Sequence, residues 1–525
     1  MSRLAGAGTL LRLAVRQDRL LVPVWLVVLV GICYASAAGT LGLYPTAAER
    51  VEAATAIDAS PGLVALYGPI LDLRSVGELA MAKMTVTYAL LVMVMMLFVV
   101  RRHTRVPEES GQAELLSGTA VGRGAPLAAA TAFGAGTAVL LGVLVVLVNT
   151  AAGLPLTGSV AFGGAWAGCA LVATGLAALA AQLSASARTC AGVAAATIAA
   201  MFVLRAVGDT SRWSFLSWLS PFGWNTQLRS YGATRWWVLL LHLGLALLLV
   251  VAAGLVHARR DLGAGVLSSR PGPAVASPRL SGTLALVLDQ HLPMLAWWSA
   301  ACLAGGLLFG AVSPTMDGVA TGSVRDLLEQ LGGSGAFRDV MLGAVISVLA
   351  LLITCFAVAV IGHGADDERD GRAEQVLATA ASRARLFAAT ALVALVGATW
   401  LLLVTGLGVA VGAGPDGDSS SGRLVVSALA QAPAVWTVTA VVMLLFGLRS
   451  RWTTVGWGVV VLFAALGQIG ALLRLPGWVL DLSPYSHSPQ MPLEDFRRLP
   501  ALVLTAMTVG LLGAAWARYR VRDVG

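Results

Sequence analysis

Arg101-Arg102-His103-Thr104-Arg105-Val106-Pro107-Glu108-Glu109-Ser110-Gly111-Gln112-Ala113-Glu114-Leu115-Leu116 is a polar island between two long apolar runs. It occurs twice. Moved 260 positions along the chain, His103, Glu108, Gly111, Glu114, Thr119 and Arg123 fall on His363, Glu368, Gly371, Glu374, Thr379 and Arg383 without a gap. Leu219-Ser220-Pro221-Phe222 likewise returns as Leu482-Ser483-Pro484-Tyr485, 263 positions on, and Trp25 is echoed by Trp297. A spacing held at half the chain length is an internal repeat.

The runs around the island set the fold class. The chain is 58% apolar and 12% charged, with mean hydropathy +0.82. Soluble domains sit near 45–50% and about 25%. Stretches such as Val238 to Val256 are nearly uncharged, and about 20 such residues cross the hydrocarbon as a helix. The expectation is an all-α, polytopic membrane protein of about 12 transmembrane helices, arranged as two tandem six-span repeats. The spans fall near 21–41, 80–101, 126–149, 159–182, 189–208 and 236–257, then 291–312, 341–362, 385–412, 424–448, 453–473 and 500–517.

This gives a first half at 1–257, a cytoplasmic linker at 258–283 rich in Pro, Gly and Ser, and a second half at 284–525. Arg188, Arg449 and Arg451 mark the smallest loops on one side, so the positive-inside rule puts both termini and both polar islands in the cytoplasm. An even span count per half relates the repeats by an axis along the membrane normal. Residues 3–21 carry Arg12, Arg16 and Arg19 at helical spacing, which suits an interfacial amphipathic helix or a basic tail before the first span. No signal-peptide cleavage pattern is present. Outer loops at about 42–79 and 313–340 suggest short surface helices around Glu49, Glu52, Asp326 and Glu329.

Each island reads as a short amphipathic helix held against the membrane, at 107–120 and 367–380. Pro107 suits the first helical position, and Glu108 and Glu109 suit the positive end of the dipole. Asp366, Asp367 and Glu368 do the same in the second copy. Glu114 and Glu374 are left to meet a partner.

These residues also carry a resemblance. The Glu-Glu-x-Gly-x-x-Glu-Leu-Leu helix between spans two and three resembles the coupling element of ABC-2-type permeases. The twelve-span length and the paired Ser-Pro-Phe and Ser-Pro-Tyr-Ser-His-Ser-Pro-Gln segments are similar to bacterial exporters of polyketide antibiotics, the tetronasin-resistance branch. The resemblance implies a permease of the bacterial cell membrane that moves hydrophobic or amphipathic compounds outward. It implies two copies of a separate ABC ATPase docked through Glu108, Glu109, Gly111, Glu114, Leu115, Glu368, Gly371 and Glu374. The second copy departs from the pattern, with Arg369 for the second Glu and Gln375-Val376 for Leu-Leu. The two halves would then couple unequally.

Other chemistry is poorly served. The only lysine, Lys83, lies in Met81-Ala82-Lys83-Met84, and no Gly-Lys-Ser/Thr turn exists to hold a nucleotide. ATP and Mg would therefore sit on the partner, with no cofactor in this chain. The five cysteines lie in or beside apolar runs without CxxC spacing, and the six histidines form no HExxH, so no metal or catalytic residue is expected. The net charge of +8 reflects topology, and no nucleic-acid partner is implied. His103 and His363 are placed at the water interface. His242 reads as a hydrogen-bonded packing group or a substrate or proton site. Within the spans, outside their ends, there is hardly an ionisable group and Gln431 and Gln468 are the main polar side chains, which suits a hydrophobic small-molecule cargo. The substrate-contact residues are not legible. The alternatives are a twelve-span ion-driven efflux carrier, which would need an intramembrane carboxylate, and a membrane scaffold or sensor.

Overall fold

The computed structural model describes the chain except for residues 1–2, 60, 262, 268–274, 276, 279, 314–335, 415–420, 469–475, 490, 492–497 and 523–525. Among the described residues there are helices and turns and no strand. Eleven helices there are long and apolar enough to cross a membrane. The protein is all-α and polytopic, as its hydropathy requires. The expected span at 453–473 appears as a 14-residue helix, Val455–Gln468, whose continuation lies outside the described residues. Contacts divide the chain into two compact units, Met1–Gly272 and Pro273–Gly525.

The first unit begins with α1 (Ala7–Gln17), the expected N-terminal amphipathic helix. Its leader is pinned by backbone bonds from Gly122 N to Ala5 O (2.9 Å) and from Gly124 N to Arg3 O (3.0 Å). There follow α2 (Leu21–Leu43), the surface helices α3 (Ala47–Asp58) and α4 (Pro61–Tyr67), and α5 (Val76–Glu109). The short α6 (Gln112–Ser117) leads to α7 (Ala125–Ala151), α8 (Leu156–Leu183), α9 (Ala187–Thr210), α10 (Pro221–Gln227) and α11 (Val238–Arg259). Thr46 and Glu49 close a capping box at the start of α3. Asp326 and Glu329, the corresponding expectation in the second half, lie outside the described residues.

Helix α8 is the hub of this unit, packed by α5, α7 and α11. Its Gly- and Ala-rich surface lets neighbours approach closely: a Cβ on Gly142 of α7 would stand 2.8 Å from the Gly163 carbonyl of α8. Trp166, fully buried on α8, donates to the Met84 carbonyl at 3.0 Å. That carbonyl belongs to a π-turn, Met84–Tyr88, inside α5. A π-turn displaces backbone carbonyls from their α-helical partners. In lipid such groups must be answered from within the protein. Asn225 Nδ2 answers the next carbonyl, Thr85 O, at 2.9 Å.

In the second unit the helices are α12 (Thr283–Val312), α13 (Ala336–Arg369), α14 (Arg372–Leu377), α15 (Arg383–Ala413), α16 (Ser421–Leu448), α17 (Val455–Gln468) and α18 (Arg498–Val521). The closest pair is α12 against α15. Gly306 and Gly310 face Gly408 and Gly412, four residues apart on each helix, so the backbones touch. A Cβ on Gly306 would lie 2.6 Å from Thr405 O, and one on Gly408 2.8 Å from Leu303 O.

At a span end, Arg205 is fully buried in α9, where it pairs with Asp209 (3.2 Å) and donates to the carbonyls of Val64 (3.2 Å) and Ala65 (2.8 Å). This ion pair survives burial because its remaining donors anchor α4. His103 is mostly buried against Asp18 and Phe133, although polarity alone suggests an exposed ring. Trp213, Trp236 and Trp237 are exposed, whereas Trp224 is buried edge-on against His242. His242 itself is fully buried, with Nε2 3.2 Å from Asn225 Oδ1, a packing group in the fold.

Because the α12–α15 contact is backbone on backbone, Gly306→Ala should cost about 2 kcal/mol by forcing the helices apart. Gly510→Ala, whose new Cβ would meet nothing within 4 Å, should cost nothing. Thermal unfolding in detergent compares the two; equal midpoints would refute the close-packing account.

Candidate functional site: two broken helices and their carboxylate clamps

The repeated island is built on a glycine break. Helix α5 kinks at Thr104, makes one more turn over Arg105–Glu109 with Pro107 in it, and stops at Gly111 (φ +76°). In the second unit α13 runs straight to Arg369 and stops at Gly371 (φ +71°). Left-handed backbone of this kind favours glycine and ends a helix. Gly111 N and Gly371 N each donate to the carbonyl three residues back, Glu108 O and Glu368 O, at 3.2 Å. The expected helices 107–120 and 367–380 are thus each divided, and only α6 and α14 lie beyond the break.

This changes what the acids do. Glu108 and Glu368 sit on the last turns before the break, at the negative end of the long helices, where a carboxylate needs nearby positive charge. Glu108 accepts from Arg105 Nη1 at 2.6 Å and from Arg260 Nη2 at 2.6 and 2.8 Å. Arg105, also buried, donates to the carbonyls of Ala185, Gly263 and Ala264. Arg260 donates to Gln182 Oε1 at 2.6 Å. His257 places Nδ1 3.2 Å from the same oxygen. Glu368 repeats the clamp with other chemistry: Tyr519 Oη donates to it at 2.9 Å, and Arg522 pairs with its second oxygen. The Arg522 guanidinium lies over Phe446 (5.1 Å) and Tyr519 (4.9 Å).

Of the eight expected docking residues, Glu108 and Glu368 are therefore turned inward and clamp the break to the last helix of their unit. Gly111 and Gly371 are the breaks themselves. Glu109 is exposed, yet its Oε2 accepts from Ala187 N (3.0 Å) at the start of α9. Glu114, Leu115 and Glu374 lie on the exposed side of α6 and α14, Leu115 at 79% exposure. Around α14 the acids pair locally, Asp367 with Arg372 (2.7 Å) and Asp366 with Arg369 (3.1 Å). The Asp367 hydrogen bond raises the pKa of the Arg372 guanidinium.

Sequence reasoning missed Arg105, Arg260, Tyr519, Arg522 and Asp18. A signal existed for two pairs: a shift of 262 carries His257 and Arg260 onto Tyr519 and Arg522. Asp18, the first acid in the chain, pairs with His103 at 2.7 Å and with Arg102 at 3.2 Å. Its counterpart 273 positions on is His291, whose ring lies 5.1 Å from that of His363. Lys83 is exposed. No group of three or more metal-ligating side chains occurs among the described residues, and the five cysteines are free thiols.

A membrane protein with two such breaks has a full-length relative. Over 532 aligned positions the chain is 38% identical to the multidrug efflux system permease protein Rv1217c of Mycobacterium tuberculosis (strain ATCC 25618 / H37Rv), covering 100% of this chain and 96% of the relative. This chain belongs to that permease family. Residues 280–520 also match the family described as the multidrug efflux system permease Rv1217c, C-terminal domain. That match takes in the second island, Glu368 and Tyr519. The clamps are thus part of a permease.

Removing one partner of a buried pair leaves the other charge uncompensated. Arg260→Ala should therefore lower stability by about 3 kcal/mol, whereas Glu114→Gln on the exposed face should stay within about 0.5 kcal/mol of wild type. Thermal unfolding midpoints check both, and an Arg260→Ala midpoint equal to wild type would contradict the clamp.

Proposed function

We propose that the chain is the membrane subunit of an ATP-driven ABC exporter for hydrophobic or amphipathic compounds, among them drugs and polyketide antibiotics. Two copies of a separate ABC ATPase would supply the energy. Membership of the efflux permease family supports the transport role. The resemblance of the island to the ABC-2 coupling element supports the ATPase. The observation that carries the reading is the pair of glycine breaks, each presenting a short exposed helix on a clamped support. In this reading both breaks face the cytoplasm, the spans number twelve in two sets of six, and both termini are inside.

The clamps give the coupling a mechanical route. A push on α6 acts through the Arg105–Glu109 turn, and Glu108 passes it to Arg260 at the end of α11. A push on α14 passes through Glu368 to Arg522 just after α18. Nucleotide-driven closure of the ATPase would thus move whole helices as rigid bodies. The docking surface narrows to Glu109, Glu114, Leu115 and Glu374, with the inward acids as supports. The unequal copies, Glu109 against Arg369 and Leu115 against Gln375, make the two couplings unequal.

An ion-driven carrier would draw on the buried Asp18–His103 pair as its proton site. Collapse of the proton gradient without ATP depletion separates the two: an ABC exporter keeps running and a proton carrier stops. For the docking surface, the test is affinity capture of the full chain from its native membrane. Wild type should retain a P-loop ATPase at two copies per chain. Glu114→Arg with Leu115→Asp should cut its recovery at least tenfold while the permease level in the membrane is unchanged. Absence of any ATPase from the wild-type capture would overturn the reading.

A further inference from the structure

The two islands roof the same pocket, and only one of the pockets is open. In the first unit a cavity of about 750 Å³ lies between α1, α6 and the start of α7. In the second unit the repeat-equivalent positions enclose about 70 Å³. The correspondence is position by position: Leu13, Ala14 and Gln17 match Leu286, Val287 and Gln290, and Gln112, Ala113 and Leu116 match Arg372, Ala373 and Val376. The difference is aromatic filling. Phe387, Phe446 and Tyr519 stack in the second pocket with ring centroids 5.2 and 5.4 Å apart. In the first, Leu127 stands for Phe387 and His257 for Tyr519, while Gln182 takes the place against His257 and Arg260 that Phe446 takes against Tyr519 and Arg522. Interiors ordinarily close such volumes, and this chain holds the side chains that close it, in one copy only.

We propose that the first-unit cavity is a binding site for one drug-sized, uncharged amphipathic molecule, and that the second unit carries its plugged counterpart. The size falls within the range of small-molecule sites. Ala14, Ala129 and Ala130 are buried and apolar and would hold the hydrophobic body. Gln17 and Gln112 are exposed and offer hydrogen bonds to a polar head at the mouth. Among the charges around it, Glu108 pairs with Arg105 and Arg260, and Asp18 with His103 and Arg102, while Arg123 donates to the Arg260 carbonyl and lines the cavity together with Asp261. A charged head would have to break one of those pairs, and Arg123 and Asp261 bring opposite signs to the lining, so it favours neither an anion nor a cation and suits a neutral head. The molecule comes from one of two sources, a transported compound or a membrane lipid. The first of these rests on the efflux reading; the site does not.

The experiment copies the second half into the first. The full chain, in lipid nanodiscs, is titrated with Nile red, an uncharged amphipathic dye, alongside Leu127→Phe/His257→Tyr. Wild type should bind one dye per chain saturably, and the plugged variant should bind at least tenfold more weakly with an unfolding midpoint no lower. Leu13→Trp, which narrows the mouth from α1 without touching the clamp, serves if the double variant fails to fold, and should weaken binding likewise. Equal saturable binding by wild type and either folded variant overturns the proposal, as does the absence of saturable binding to wild type. Mass spectrometry of co-purified small molecules and Nile red accumulation in cells then separate the sources. A lipid held by wild type and missing from the plugged variant, with accumulation unchanged, assigns a lipid. Raised accumulation in the plugged variant with the ATPase still bound assigns a transported compound. Nanodisc binding needs no ATPase, so a chain without an ATPase partner would sink the coupling reading and leave this one standing.

Discussion

A carboxylate at the carbonyl end of a long helix is in the wrong place unless something positive is brought to it. Glu108 and Glu368 are in that position, and in each unit the last helix supplies the arginine. Three features follow from this requirement. The chain after α11 must turn so that Arg260 reaches back to Glu108, which places the Gly263 and Ala264 carbonyls in the grip of Arg105. The break at Gly111 is held against a fixed support instead of swinging on its glycine. The second helix and the last helix of a unit are joined at one end, although about 150 residues separate the partners. Such buried pairs add little stability over a well-packed apolar contact. Their contribution here is to specify which helix ends meet.

The two units solve the same problem with different chemistry. The first surrounds its clamp with hydrogen bonds, Gln182 and His257 included, and stays open. The second surrounds it with aromatic rings and closes. Where the first unit has the Asp18–His103 pair, the second has two histidine rings. After duplication the geometry of the break was kept while the surroundings diverged. A repeat visible at His, Glu, Gly, Glu, Thr and Arg but blurred elsewhere is the sequence trace of that history.

How much could be read in advance depended on the range of the interaction. Spans are a local property of hydropathy, so α2, α7 and α15 were legible from composition alone. The break was half legible. Acids behind a proline signal a helix start, and that reading competed with the opposite signal from Gly111, which belongs to the end of the preceding helix. The structure decides for the glycine because a left-handed residue cannot sit inside an α-helix. The clamp was not legible from local pattern, since Arg260 looks like an ordinary flanking arginine until α11 is folded against α5. His103 misled for a related reason: its polarity suggests water, and only the distant Asp18 makes burial tolerable.

The π-turn at Met84–Tyr88 places one extra residue in α5 that the uninterrupted α13 lacks. One residue of an α-helix is about 100° of rotation. Two helices that share a phase between Thr104 or its counterpart and this turn are therefore out of phase beyond it, by roughly a quarter of a circle. The halves share their inner architecture and part company above it. A ligand or protein approaching the far ends would meet two distinct surfaces, and an alignment of the halves needs a one-residue gap within this turn to keep its phase.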